Sequence, residues 1–85
     1  MLPFMLFLRE HGKGGLAKDP VEAVKYYRQA ADQGNAQGQA FLGDMYEHGK
    51  GVVADLAEAT RLYRQAAKQG NEFAQKRLQA LNIRQ

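Results

Sequence analysis

The sequence predicts an all-α fold, a short α-solenoid of about five helices arranged as antiparallel pairs. Three observations carry that prediction. The stretch Asp55 to Asn71 (DLAEATRLYRQAAKQGN) repeats Asp19 to Asn35 (DPVEAVKYYRQAADQGN) at an offset of 36 residues. A glycine loop recurs too: Glu10-His11-Gly12-Lys13-Gly14 returns as Glu47-His48-Gly49-Lys50-Gly51, at an offset of 37. Apolar residues in both copies fall at helical spacing. A period of roughly 20–50 residues marks repeat arrays, in which each unit buries its apolar face on its neighbour.

The first helix is expected over Leu2 to His11, ending in the glycine turn 12–15. The one-residue difference between the two offsets places an insertion near Gly15, in a loop, where insertions are tolerated. Asp19-Pro20 opens the second helix. Aspartate suits the N-cap, and proline suits the first helical position, where its missing N–H costs nothing. Glu22 completes a capping-box-like arrangement, and Asp55 with Glu58 repeats it for the fourth helix. The expected apolar stripes are Val24, Tyr27, Ala30 and Ala31 in the first copy, and Leu56, Ala59, Tyr63, Ala66 and Ala67 in the second. The Ala-Ala pairs let another helix approach closely, and the tyrosine fills the gap one turn earlier.

Ala36 to His48 reads as the third helix, with Ala36, Ala40, Leu42, Gly43, Met45 and Tyr46 as core candidates. Gly43 costs about 1 kcal/mol against alanine in a helix, which a close backbone contact would explain. Gly38 weakens the same helix with no evident reason in the sequence. The last helix is expected from about Glu72 to Asn82, with Ala74, Leu78 and Leu81 on one face. It carries Gln79 where the preceding copy has Gly43. Such degeneracy suits a terminal cap, one face of which meets water.

Length and composition bound the function. A chain of 85 residues makes one domain with a small core. Its segments divide into a truncated first repeat (1–34), a complete repeat (35–70) and a capping helix (71–85). With no cysteine, disulfides and thiolate metal sites are excluded. The net charge of +3 is mild beside the concentrated basic face of a dedicated nucleic-acid binder. The apolar start, residues 1–8, lacks the basic region and cleavage site of a secretory signal, and is far short of the roughly 20 residues that span a bilayer. The cytoplasm is the default compartment, without being established, and no membrane insertion is expected.

The residues Leu42-Gly43-Asp44-Met45-Tyr46, then Gly49-Lys50-Gly51-Val52, Asp55, Ala59, Tyr63, Ala66-Ala67 and Gly70 resemble the Sel-one-like repeat, a relative of the tetratricopeptide repeat. The resemblance covers nearly the whole chain. It implies a right-handed α-solenoid that serves as an adaptor in protein complexes. Many members of that family are bacterial, and some are exported. Ala40 stands where the family usually has an aromatic, and Gly38 where alanine is usual. The first unit lacks the start of its A helix and carries Leu6 and Arg9 in place of the glycine-tyrosine pair.

The resemblance also implies that the A helices line a concave groove. Helical spacing then turns Gln37, Ala40, Asp44, Glu47 and His48 toward the groove from the third helix. Phe73, Lys76, Ala80, Ile83 and Arg84 match them on the last helix, and Phe7, Glu10 and His11 on the first. This groove would be acidic in its middle and basic at its C-terminal end, which suits a peptide carrying both signs. The same residues would also suit a solvated polar face. Asp44 and Glu47 read as exposed, with nothing to raise a pKa. Arg61, Arg64 and Lys68 form a basic row that reads as the solvated convex face, with an acidic partner or nucleic acid as the other reading. No aromatics alternate with these charges as single-strand binding would need.

Catalysis finds no constellation. The chain has no serine, and its one threonine, Thr60, sits in a helix beside no histidine. Gly49-Lys50-Gly51 follows a helix and is not followed by Ser or Thr, unlike a phosphate loop. His11 and His48 occupy equivalent repeat positions, too far apart to share one zinc. No cofactor and no metal are therefore expected. The expected function is a protein–protein interaction module. The alternative is self-association through an apolar N-terminal edge of Phe4, Leu6 and Phe7, and the two differ in the mass found in solution.

Overall fold

The computed structural model describes residues 19–82. Among these residues four helices follow one another: α1 (Pro20–Asp32), α2 (Ala36–His48), α3 (Leu56–Lys68) and α4 (Glu72–Ala80). The expected helix over Leu2 to His11 lies outside the described residues, as do Phe4, Leu6 and Phe7. Each helix packs on the next in the chain, α1 on α2, α2 on α3 and α3 on α4. This is the helical solenoid that the 36-residue repeat predicts.

The helix starts follow local chemistry. Asp19 and Asp55 accept from the backbone N–H of Glu22 and Glu58, at 3.2 and 3.1 Å. Asn35 and Asn71, the last residues of the two repeated stretches, open the next helix in each case. They accept from the N–H of Gly38 at 2.7 Å and of Ala74 at 2.8 Å. Each side chain thereby satisfies one of the N–H groups left over at a helix start. Gly49 caps α2 in the left-handed region at φ 66°, where glycine carries no Cβ penalty.

The core lies in two layers. Ala40, Ala59, Tyr63, Ala66, Ala67, Ala74 and Leu78 form one, between α2, α3 and α4; Val24, Leu42 and Leu62 form the other, toward α1. Tyr63 is fully buried and fills the space the small residues leave. Two expectations need correction. Leu56 is 51% exposed, and Leu62 is buried on α3 in addition to the expected stripe. On α1, Ala23 and Tyr26 join Val24 and Ala30 in the core, while Tyr27 and Ala31 are only half-buried. Tyr26 and Leu62 are the same repeat position, and both are buried.

The two helical glycines mark close approaches. A Cβ on Gly43 would stand 2.9 Å from the Tyr63 ring, as expected of a backbone-to-helix contact. Gly38 has the same explanation: a Cβ there would meet the Ala30 Cβ at 2.6 Å and the Ala31 nitrogen at 2.9 Å. The α2 face built from Ala36, Ala40 and Gly43 receives α3. Its repeat equivalents on α4 are Glu72, Lys76 and Gln79, all exposed. The row of small residues that receives α3 is therefore not repeated on α4.

Candidate functional site

Helical spacing puts Gln37, Phe41, Asp44 and His48 in one row along α2. On α4, Phe73 and Arg77 stand one turn apart and reach back toward that row. Two side-chain rungs join the helices. In the first, the Phe41 and Phe73 rings meet edge to face, their centroids 6.0 Å apart. Tyr27 of α1 continues the aromatic row, 5.3 Å from Phe41, and Tyr63 lies 6.2 Å from Phe73 beneath it. Such tilted and edge-on pairs suit the ring quadrupole.

The second rung is ionic. Arg77 donates from Nε to Glu47 Oε1 at 3.1 Å and from its terminal nitrogen to Glu47 Oε2. The Tyr63 hydroxyl donates to Glu47 Oε1 at 2.5 Å. Glu47 therefore holds α3 and α4 to α2 at once. Its side chain is only 9% exposed, which corrects the expectation of an exposed acid. Burial pushes its carboxyl up, but the hydrogen bonds from Arg77 and Tyr63 and the Arg77 charge outweigh that and hold it below the ordinary carboxylate range. Burial, then the hydrogen bond to Glu47, pushes the Tyr63 hydroxyl well above the usual phenol range. The hydrogen bond to Glu47 likewise raises Arg77.

The other expected site residues fall in different places. Gln37 and His48 are exposed, and Asp44 is half-buried. The Asp44 carboxylate lies 3.1 Å from His48 Nδ1, a pair that is ionic only when the histidine is protonated. Phe73 is 39% exposed. Ala40, expected on the groove, is instead fully buried in the core. Lys76 is its repeat equivalent, so it sits on the end face of α4 and not beside the Phe41–Phe73 pair. The expected register is thus off by one residue at these two positions. Phe41 and Arg77, one step further along, face across the gap. Neither is among the residues expected on the groove, although Phe41 is four residues from Gln37 and three from Asp44, and Arg77 is four from Phe73. Phe7, Glu10, His11, Ile83 and Arg84 lie outside the described residues.

Asp44, Glu47 and His48 bring three potential ligand atoms within 4.8 Å of one another. A cation there would compete with Arg77 for both Glu47 oxygens, so only Asp44 and His48 are left to offer. The basic row is partly engaged. Arg61 pairs with Glu58 at 2.5 Å; Arg28, on α1 at the repeat position of Arg64, donates to the Tyr46 hydroxyl at 2.8 Å with its guanidinium 5.6 Å from that ring. Among the described residues no helix is long and apolar enough to cross a membrane.

Antiparallel helices repeating every 36 residues, bridged by side chains from one A helix to the next, define a helical-repeat scaffold. The chain belongs to the Sel1 repeat family, whose model matches residues 4–35 and 36–71. Sel1 repeats form helical solenoids and are generally protein–protein interaction modules. No curated protein and no solved structure matches the chain.

Proposed function

We propose that the chain is an interaction module that binds a peptide or protein partner across the A-helix face of α2 and α4. The observation that carries this reading is the Phe41–Phe73 pair. It places a partly exposed aromatic surface in the same row as the polar side chains of Gln37, Asp44 and His48. Apolar anchors within a polar rim are the usual anatomy of a binding surface. The scaffold under it is fixed by the Glu47–Arg77–Tyr63 cluster, so the surface is preorganised.

The test is a crosslinking capture from the native host with wild type, Phe73→Ser and Asp44→Lys side by side, each checked for native helicity. A partner held by wild type and lost in both folded variants is the expected result. Equal capture by all three would overturn the reading and move the interface to the convex face or the edges. Recovery of the chain alone would favour the self-association reading instead.

A further inference from the structure

We infer that the partner segment presents a lysine or arginine beside an apolar side chain, with the apolar group on the Phe41–Phe73 pair and the cation between Asp44 and the Phe41 ring. This rests on the binding reading above and adds the chemistry of the ligand. Two independent features select the cation. The first is charge. Glu47 is neutralised by two hydrogen bonds from Arg77, and Lys76 stands on the end face of α4. The carboxylate in the same helical row as Phe41 is Asp44, one turn further on, and its ion partner is an exposed histidine charged only when protonated. The second is the aromatic surface itself. A phenyl face is negative and attracts a guanidinium or ammonium group. An anion set beside Phe41 would meet both the ring face and the Asp44 carboxylate, and both would repel it.

Spacing is consistent with one short segment doing both jobs. Residues three apart on a helix face have Cβ atoms about 5–6 Å apart. In an extended peptide, alternate side chains stand about 6.5–7 Å apart on one face. An apolar residue and a basic residue at i and i+2 therefore reach the ring pair and Asp44 together.

The test uses three sets of synthetic ten-residue peptides, each with a central leucine or phenylalanine and with lysine, glutamine or glutamate two residues away. Binding is read by chemical-shift changes of the Phe41 and Phe73 rings. The lysine set should bind tightest and the glutamate set weakest. Asp44→Asn should weaken the lysine set by about fivefold and leave the glutamine set unchanged. Asp44→Lys should reverse the preference toward glutamate. Equal binding of all three sets would overturn the cation while leaving the aromatic surface as the binding site. Ring shifts from none of the peptides would remove the binding reading and this inference with it.

Discussion

The Tyr63 hydroxyl donates to Glu47 at 2.5 Å while its ring closes the core between α2, α3 and α4. One side chain thus does two separable jobs, filling space and holding a carboxylate that also holds Arg77. The two jobs predict two different costs. Tyr63→Phe keeps the ring and removes the hydrogen bond to a charged acceptor, for about 1.5–3 kcal/mol. Tyr63→Ala also opens a cavity and should cost about 3–5 kcal/mol. A small domain has about 5 kcal/mol to lose, so the alanine variant should be close to unfolded at room temperature. Urea titration of both variants checks this, and equal losses would mean that the ring packing contributes little.

The Glu47 carboxyl is held below the ordinary range in the folded chain. A depressed folded pKa means that the unfolded chain takes up the proton first. The resulting stabilisation is fully present above the unfolded value of about 4.3 and is lost as pH falls through the folded value. Glu58, lowered first of all by its hydrogen bond from Arg61, adds the same sign more weakly because its pair is exposed. Wild type should therefore lose stability from pH 5 down to pH 3. Glu47→Gln, which cannot titrate, should start less stable at pH 7 and lose less over that window. Parallel denaturation curves at the two pH values would contradict the assignment.

The helices were legible in the sequence because their signals are local. Asp19-Pro20, Asp55 and the Gly34-Asn35 and Gly70-Asn71 pairs mark starts and stops within a few residues, and the repeat supplied each signal twice. The candidate site was less legible because it depends on how far one helix is rotated against another. Ala40 and Phe41 are adjacent, and helical spacing allows either to face a groove. Only the packing of Ala40 on Tyr63 and Leu78 turns Phe41 outward. Glu47 reads as a surface acid in sequence, since its partners Tyr63 and Arg77 lie 16 and 30 residues away. No pattern short of the full repeat stacking brings these three together.

Gly38 and Gly43 test the closeness of that stacking. In a free helix, alanine in place of glycine gains about 1 kcal/mol. At Gly38 the new Cβ would press on the Ala30 Cβ and the Ala31 backbone, neither of which can rotate away. At Gly43 it would press on a fully buried ring. Both alanine variants should therefore be destabilised by about 1–3 kcal/mol in spite of their better helix propensity, and Gly43→Leu by more. A rise in melting temperature for Gly38→Ala would mean that α1 and α2 separate easily.

Two glutamate–arginine pairs in this chain look alike and should behave differently. Glu58 and Arg61 lie one turn apart on α3, with the arginine side chain 55% exposed. Glu47 and Arg77 are 30 residues apart, on different helices, and the glutamate is 9% exposed. The first pair joins residues that the helix already holds together and is largely hydrated, so Arg61→Ala should cost less than about 0.5 kcal/mol. Removing Arg77 leaves a nearly buried carboxylate with the Tyr63 hydroxyl as its hydrogen-bond donor and His48 Nε2 3.8 Å away, so Arg77→Ala should cost about 1–3 kcal/mol. A double-mutant cycle separates the Arg77–Tyr63 coupling from the single losses. A second donor shares the carboxylate oxygen only in the second case, where Arg77 Nε and the Tyr63 hydroxyl both donate to Glu47 Oε1. The cycle should therefore show Tyr63→Phe costing more in the Arg77→Ala background than alone, because among the described residues it removes the remaining hydrogen-bond donor to Glu47. Independent, additive losses would show that water replaces either donor freely, and that the α2–α4 bridge is held by the Phe41–Phe73 rung instead.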